Sequence, residues 1–156
     1  MASKKLAADS SPATTKPAVA APDTSPLIVG VHHIRLPVSK VLESRDWYMD
    51  VFGFEPILDF EEAERLLGIV LEHPCGITLG LHWEPERAIA LSGFSAVAFC
   101  VGGYDELKAW RDHLDLIGAP HSQMIESHIG WSIQVSDPDE IVVQLHTSGH
   151  PAADEA

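Results

Sequence analysis

Recognisable points in this chain recur 63 to 65 residues apart, and in the same order: Val38 with Val101, Gly53 with Gly118, Pro74 with Pro138, and Leu81-His82 with Leu145-His146. An ordered series of this kind marks an internal duplication rather than a chance match. Two copies of so long a period are too few for a solenoid, so the expected arrangement is a pair of modules related by a pseudo-twofold axis.

Each copy reads as a strand, a helix and three strands. In the first, Ile34, Leu36 and Val38 alternate with polar or small neighbours, as in a half-buried strand. Ser39 stands where a helix cap belongs. Leu42, Trp47, Tyr48, Val51 and Phe52 then fall on one helical face that stops at Gly53. Short apolar runs at 56–60, 66–71 and 77–81 supply three strands, the last two joined by a His73-Pro74-Cys75-Gly76 turn. In the second copy a strand at 96–101 precedes an amphipathic helix, 104–117, built on Leu107, Trp110, Leu114 and Ile117 and ended by Gly118. Strands near 122–125, 131–135 and 141–146 complete it, the last reached through Asp137-Pro138-Asp139-Glu140. The fold class is α+β. Each helix would cover one face of its sheet and leave the other to line a cleft.

The expected limits are one domain over residues 28–148, with modules at about 28–90 and 91–148. An Ala/Pro/Ser-rich stretch, 1–27, has no periodic apolar face with which to offset the entropy of ordering, and reads as a disordered tail. Residues 149–156 read as a short flexible end.

Composition narrows the function. With 23 acidic against 10 basic residues the net charge is −13, which disfavours nucleic acid and anionic membrane surfaces; it serves solubility first, and is also compatible with a cationic ligand. No apolar run approaches the roughly 20 residues of a membrane span, and no signal-peptide block follows the amino-terminal lysines, so a cytoplasmic protein is expected. The two cysteines, Cys75 and Cys100, lack C-x-x-C spacing and read as buried or idle thiols. Neither a phosphate-cradling glycine loop nor a serine-hydrolase motif is present.

The segments HHIRLPVSK (32–40), RDWYMDVFGF (45–54), FSAVAFCV (94–101) and DPDEIVVQL (137–145) resemble those of the vicinal oxygen chelate superfamily. That family includes glyoxalase I, extradiol dioxygenases, fosfomycin-resistance enzymes and bleomycin-resistance binding proteins. The resemblance spans about residues 29–147 and implies paired βαβββ modules in a half-open barrel around a cleft. Metal-dependent members place four ligands on the cleft face, on the first and last strands of each module. Those places fall here at His33, Gly80, Ala96 and Gln144. Glycine and alanine offer no side-chain donor, and an imidazole with an amide makes a poor divalent-ion trap. No cofactor is therefore the leading expectation.

His82 and His146 complicate that expectation. Each lies two residues past an inherited ligand place, on the same face and ~6.6 Å further along the strand. With His33 and Gln144 they would form a displaced site for one divalent ion such as zinc, iron, copper or nickel. Arg35 shares the face of His33, and the two are the catalytic candidates, Arg35 as holder of a carboxylate or enolate oxygen or as the partner of an acid. Ala96, Ala98 and Cys100 would leave room for a ligand. Trp131 is either a pocket wall or core. Glu126 and His128 lie beside a Gly130 turn, and the run Glu61, Glu62, Glu64 reads as a solvated connection.

Two functions are weighed ahead of a third class, a purely structural or interaction domain whose cleft is filled by side chains. One is a small-molecule binder, or a metal-free enzyme, with a degenerate metal site; the other is a metal-dependent lyase, isomerase or dioxygenase using the displaced histidines. A homodimer is expected by analogy with the family.

Overall fold

The computed structural model describes residues 25–149, so most of the 1–27 tail and nearly all of 149–156 lie outside the described residues. From Val31 onward the described chain forms a single compact unit. Its elements run β1 (Ile34–Val38), α1 (Val41–Phe52), β2 (Glu55–Glu62), β3 (Arg65–Glu72), β4 (Thr78–Trp83), α2 (Pro85–Ala90), β5 (Ser95–Val101), α3 (Tyr104–Ile117), β6 (Ile125–Ser127), β7 (Gly130–Ser136) and β8 (Val142–Thr147). No helix among the described residues is long and apolar enough to cross a membrane.

The duplication is written into the topology. One four-stranded sheet has the order β1-β4-β3-β2 and the other β5-β8-β7-β6. In each, the first strand pairs parallel with the last and the other pairings are antiparallel. Both long helices end on a left-handed glycine, Gly53 at φ 77° and Gly118 at φ 69°. The equivalent turns of the two modules also need positive φ: glycine provides it at Gly76, φ 93°, whereas Glu140 adopts φ 61° with a side chain, at a cost of about 1 kcal/mol.

Strand alternation sorts the residues. Leu36, Val38, Leu79, Leu81, Ile69 and Leu71 of the first sheet are buried with Phe99, Ile133, Val135, Val143 and Leu145 of the second in one core. Tyr48, Phe52, Leu107 and Leu114 bring the helices into it. Phe99 joins the modules, its ring centroid 5.6 Å from Phe52 and 5.8 Å from Phe54. Each sheet thus turns its apolar row to the shared core and its opposite row away from it.

The structure differs from the sequence-based expectation in several places, three of which bear on how the modules are joined and bounded. Ser39 does not cap α1: the N-cap is Lys40, with no side-chain cap, and the Ser39 N–H donates to Asp139 Oδ2 of the other module. Glu61 and Glu62 extend β2, and Ala63 and Glu64 form a two-residue hairpin with φ of 49° and 62°, so the acidic run is a hairpin tip rather than a loop. Helix α2 replaces an expected connection, started by Pro85 in its first turn.

Candidate functional site

The open face of the first sheet carries a graded surface. Register places Arg35 beside Gly80, Gly80 beside Val70, and Gly68 between His82 and Phe60. Leu58, beside Val70, and Phe60 are both more than one-third exposed, which makes one end of the face apolar. His33, Arg35 and His82 make the other end polar.

Gly80 explains how the imidazoles meet. A β-carbon placed there would lie 3.1 Å from His82 Nε2 and 3.8 Å from His33 Cδ2, so the space left by the missing side chain is taken by the His82 ring, with His33 beside it. Phe60 covers the other side of His82, its ring stacked at 5.7 Å and 24°. His33 Nδ1 in turn lies 2.9 Å from His32 Nδ1, an imidazole pair in which one ring donates and the other accepts.

Arg35 donates to Glu84, which also receives Arg87 at 3.1 Å. Its charge is therefore shared with an acid of this chain, the plainer of the two roles weighed for it. The Arg35 hydrogen bond holds the Glu84 carboxyl below its usual range. His82 is pushed below the usual imidazole value, first by burial and next by Arg35, with Glu84 acting in the opposite sense. His82 is thus neutral at neutral pH. Because its folded value lies below the unfolded one, its contribution to stability is present above pH ~6.5 and is lost as pH falls through the folded value. Arg35→Gln should raise the His82 titration midpoint in an NMR titration and Glu84→Gln should lower it; an Arg35→Gln midpoint that stays or falls would contradict this placement.

The second sheet presents the matching face. Ala98 registers beside Gln144, and Cys100 beside His146. Ala98 and Cys100 are exposed, whereas Ala96 is half-buried against the core. Cys100 Sγ points to the Val101 carbonyl at 3.4 Å. His146 donates from Nδ1 to the Thr147 carbonyl at 2.9 Å, which leaves its other nitrogen as the acceptor.

Trp131 does not join this face. It alternates with Ile133 and Val135 on the core side, packs edge-on against Tyr104 at 5.2 Å, and serves as core rather than as a wall of the open face. Nor does one chain gather the displaced metal site. His33 and His82 come together on the first sheet, but Gln144 and His146 stand on the second. Among the described residues no three His, Cys, Asp or Glu side chains form a group able to hold a metal ion. Gly80 and Ala96 remain without donors, so the residues of one chain do not fit the four-ligand site. Glu126 registers beside Trp131 on β6, and His128 occupies the exposed turn after it.

Sequence reasoning missed Phe60, Gly68 and Glu84. Glu84 had a signal, since it follows His82 by two residues in an acid-rich chain. The approach of Phe60 and Gly68 to His82 depends on the β2–β3–β4 register, which no local pattern carries.

Comparison with known proteins gives a consistent result. The family model described as Glyoxalase/Bleomycin resistance protein/Dioxygenase superfamily matches residues 30–145. Among curated proteins, none matches the sequence. A glyoxylase/bleomycin resistance protein/dioxygenase domain from Frankia sp. EAN1pec superposes with a TM-score of 0.61 at 20% identity, covering 78% of this chain and 99% of its own. The fosfomycin resistance protein FosX from Listeria monocytogenes gives 0.64 at 17%, covering 80% and 94%. Lactoylglutathione lyase from Agrobacterium tumefaciens gives 0.58 at 16%, covering 77% and 94%. At these identities the likeness is one of fold.

Proposed function

The chain belongs to the Glyoxalase/Bleomycin resistance protein/Dioxygenase superfamily, and from that premise we propose that it binds a small organic molecule on the open faces of its sheets without the family's metal. The observation that carries this reading is the donor set. At Gly80 the place of a ligand side chain is filled by the His82 ring, and Ala96 has no donor to offer. What remains is an exposed apolar patch, Leu58 and Phe60, with a few polar groups beside it. Leu58, Phe60 and Val70 would hold an apolar body, and His33, Arg35 and His82 would orient a carbonyl or carboxylate. His33 and Arg35 are also the groups able to act on it, the imidazole as acid or base and the guanidinium against developing negative charge.

A homodimer completes the proposal. Each sheet turns its open face away from the shared core, so neither face encloses a ligand by itself. A second copy laid against them would supply the facing wall. Leu58 and Phe60 are exposed apolar side chains on the first of these faces, and they give such a contact apolar area to cover.

The meeting of His33 and His82 over Gly80 favours a second reading. In it the protein is a metal-dependent lyase, isomerase or dioxygenase whose displaced imidazoles hold an ion. One preparation separates the two. Protein purified without chelator or histidine tag should contain no stoichiometric transition metal by elemental analysis. One retained ion per chain, lost in His82→Ala, would overturn the metal-free reading and establish the other. Sedimentation of the same sample should give the mass of a dimer, and a monomer would remove the second copy from the proposal.

A further inference from the structure

On the core side, away from the His33–Arg35–His82 face, a cavity of about 240 Å³ lies at the junction of the modules. Phe52 and Phe54 line it from the first module, Phe99, Trp110 and a second thiol, Cys100, from the second, and His73 and Cys75 stand in its wall. Its size suits a one-ring molecule, being below the roughly 300 Å³ at which drug-sized pockets begin.

Cys75 is exposed, and its sulfur is 2.9 Å from His73 Nδ1. The same nitrogen accepts the Cys75 backbone N–H at 3.1 Å, so Nδ1 carries the lone pair and Nε2 the proton. Phe54 braces the ring, edge to face at 5.2 Å. A thiol within reach of an oriented, unprotonated imidazole nitrogen is a nucleophile beside its base. The second module shows what the loop needs structurally. There Asp137 occupies the equivalent turn position, and its Oδ1 accepts the Asp139 N–H at 2.9 Å. An oxygen acceptor is enough to hold such a turn; the imidazole adds basicity.

We propose that this cavity and Cys75 form a covalent capture site for small conjugated enones with an apolar or aromatic body. The rings hold the body and the sulfur attacks the β-carbon. As the S–C bond forms, the thiol proton passes to His73 Nδ1 and the alkene electron pair moves onto the carbonyl oxygen as an enolate. Return of that proton to the α-carbon restores the ketone and the neutral imidazole. The net change is addition of S–H across C=C, and no other reactant is required.

The probe is benzylideneacetone, followed by intact mass and peptide mapping of the reduced full-length protein. Cys75 should react at least about tenfold faster in the wild type than in His73→Asn, whose oxygen keeps the turn bond but not the base. Excess 4-phenylbutan-2-one, the saturated analogue, should slow the reaction by filling the cavity. Equal rates in the two proteins, or no slowing by the analogue, would overturn the proposal. Should His73→Asn fail to fold, the wild type alone decides. Relative to N-acetylcysteine, Cys75 should favour benzylideneacetone over methyl vinyl ketone, which lacks the ring, by at least about tenfold; an equal preference would overturn the site.

Discussion

Replacing Asp137 with alanine should cost about 3–5 kcal/mol, because it leaves three donors without an acceptor in a buried turn. Asp137 is only 3% exposed. It accepts the Tyr48 hydroxyl at 3.1 Å on one oxygen and the Asp139 and Ile141 N–H groups at 2.9 Å on the other. Tyr48 is itself fully buried, and burial, followed by the charge of Asp137, raises its hydroxyl well above the usual value and keeps it a donor. One carboxylate therefore closes the β7–β8 turn and ties it to helix α1 of the other module. Alanine would strand these donors, each at a cost of about 1–3 kcal/mol. Set against a total stability of about 5–15 kcal/mol, the loss would bring the melting temperature down by well over 10 °C.

Two controls separate the contributions to that loss. Tyr48→Phe removes one donor and leaves Asp137 its backbone partners, for about 1 kcal/mol. Asp137→Asn keeps the oxygen that closes the turn and removes the charge. Burial is the main influence on the Asp137 carboxyl and raises it above its usual value. With the folded value above the unfolded one, its contribution is fully present below the unfolded value and is lost as pH rises through the folded one. The stability of the wild type relative to Asp137→Asn should therefore increase as pH is lowered from neutral toward 4. Urea unfolding across that range checks both claims. An Asp137→Ala protein as stable as the wild type would show that the network does not join the modules.

What could be read from the sequence follows from which interactions are local. The duplication, the two long helices and the glycines that end them were legible because each depends on spacing within a few residues or on one repeat. The depleted ligand set came from the family resemblance, which assigns ligand places to His33, Gly80, Ala96 and Gln144, and no folding detail gives glycine or alanine a donor. Asp137 was visible only as part of a turn. Its bond to Tyr48 spans 89 residues and depends on how the modules pack. Ser39 misled because a serine before a helical pattern is a good cap in isolation, yet Asp139 of the other module takes its N–H. His33 and His82 meet on the first sheet, whereas Gln144 and His146 lie on the second, and the reason is larger than any local pattern. Pseudo-symmetry fixes equivalent positions but not which sides of the two sheets meet, and the shared core draws the helix-covered sides together.

Gly68→Ala tests the part of the site that no local pattern revealed. A β-carbon at residue 68 would lie 2.5 Å from the Leu81 carbonyl oxygen and 3.3 Å from the Phe60 ring. The ring can yield by a few tenths of an ångström, but the carbonyl belongs to the backbone of β4. Relief then requires β3 and β4 to separate where Gly68 registers with His82. Overpacking of this kind costs about 1–3 kcal/mol, and a backbone clash places this one toward the upper end. Function should suffer with stability. Gly68 lets Phe60 and His82 stack across it, and that stack keeps the His82 ring in the space above Gly80. Once β4 moves, the imidazole should leave both Phe60 and His33, and its ring-proton NMR signals should lose the upfield shift that a stacked phenyl ring produces. Its titration midpoint should rise as burial, the main cause of its lowering, is relieved. Phe60→Ala is the companion variant, since it removes the stack without touching the backbone. It should reproduce the loss of upfield shift while leaving the β3–β4 ladder protected in hydrogen exchange. If Gly68→Ala instead melts like the wild type with the His82 signals unmoved, the close approach of the two strands is wrong, and with it the placement of His82 over Gly80.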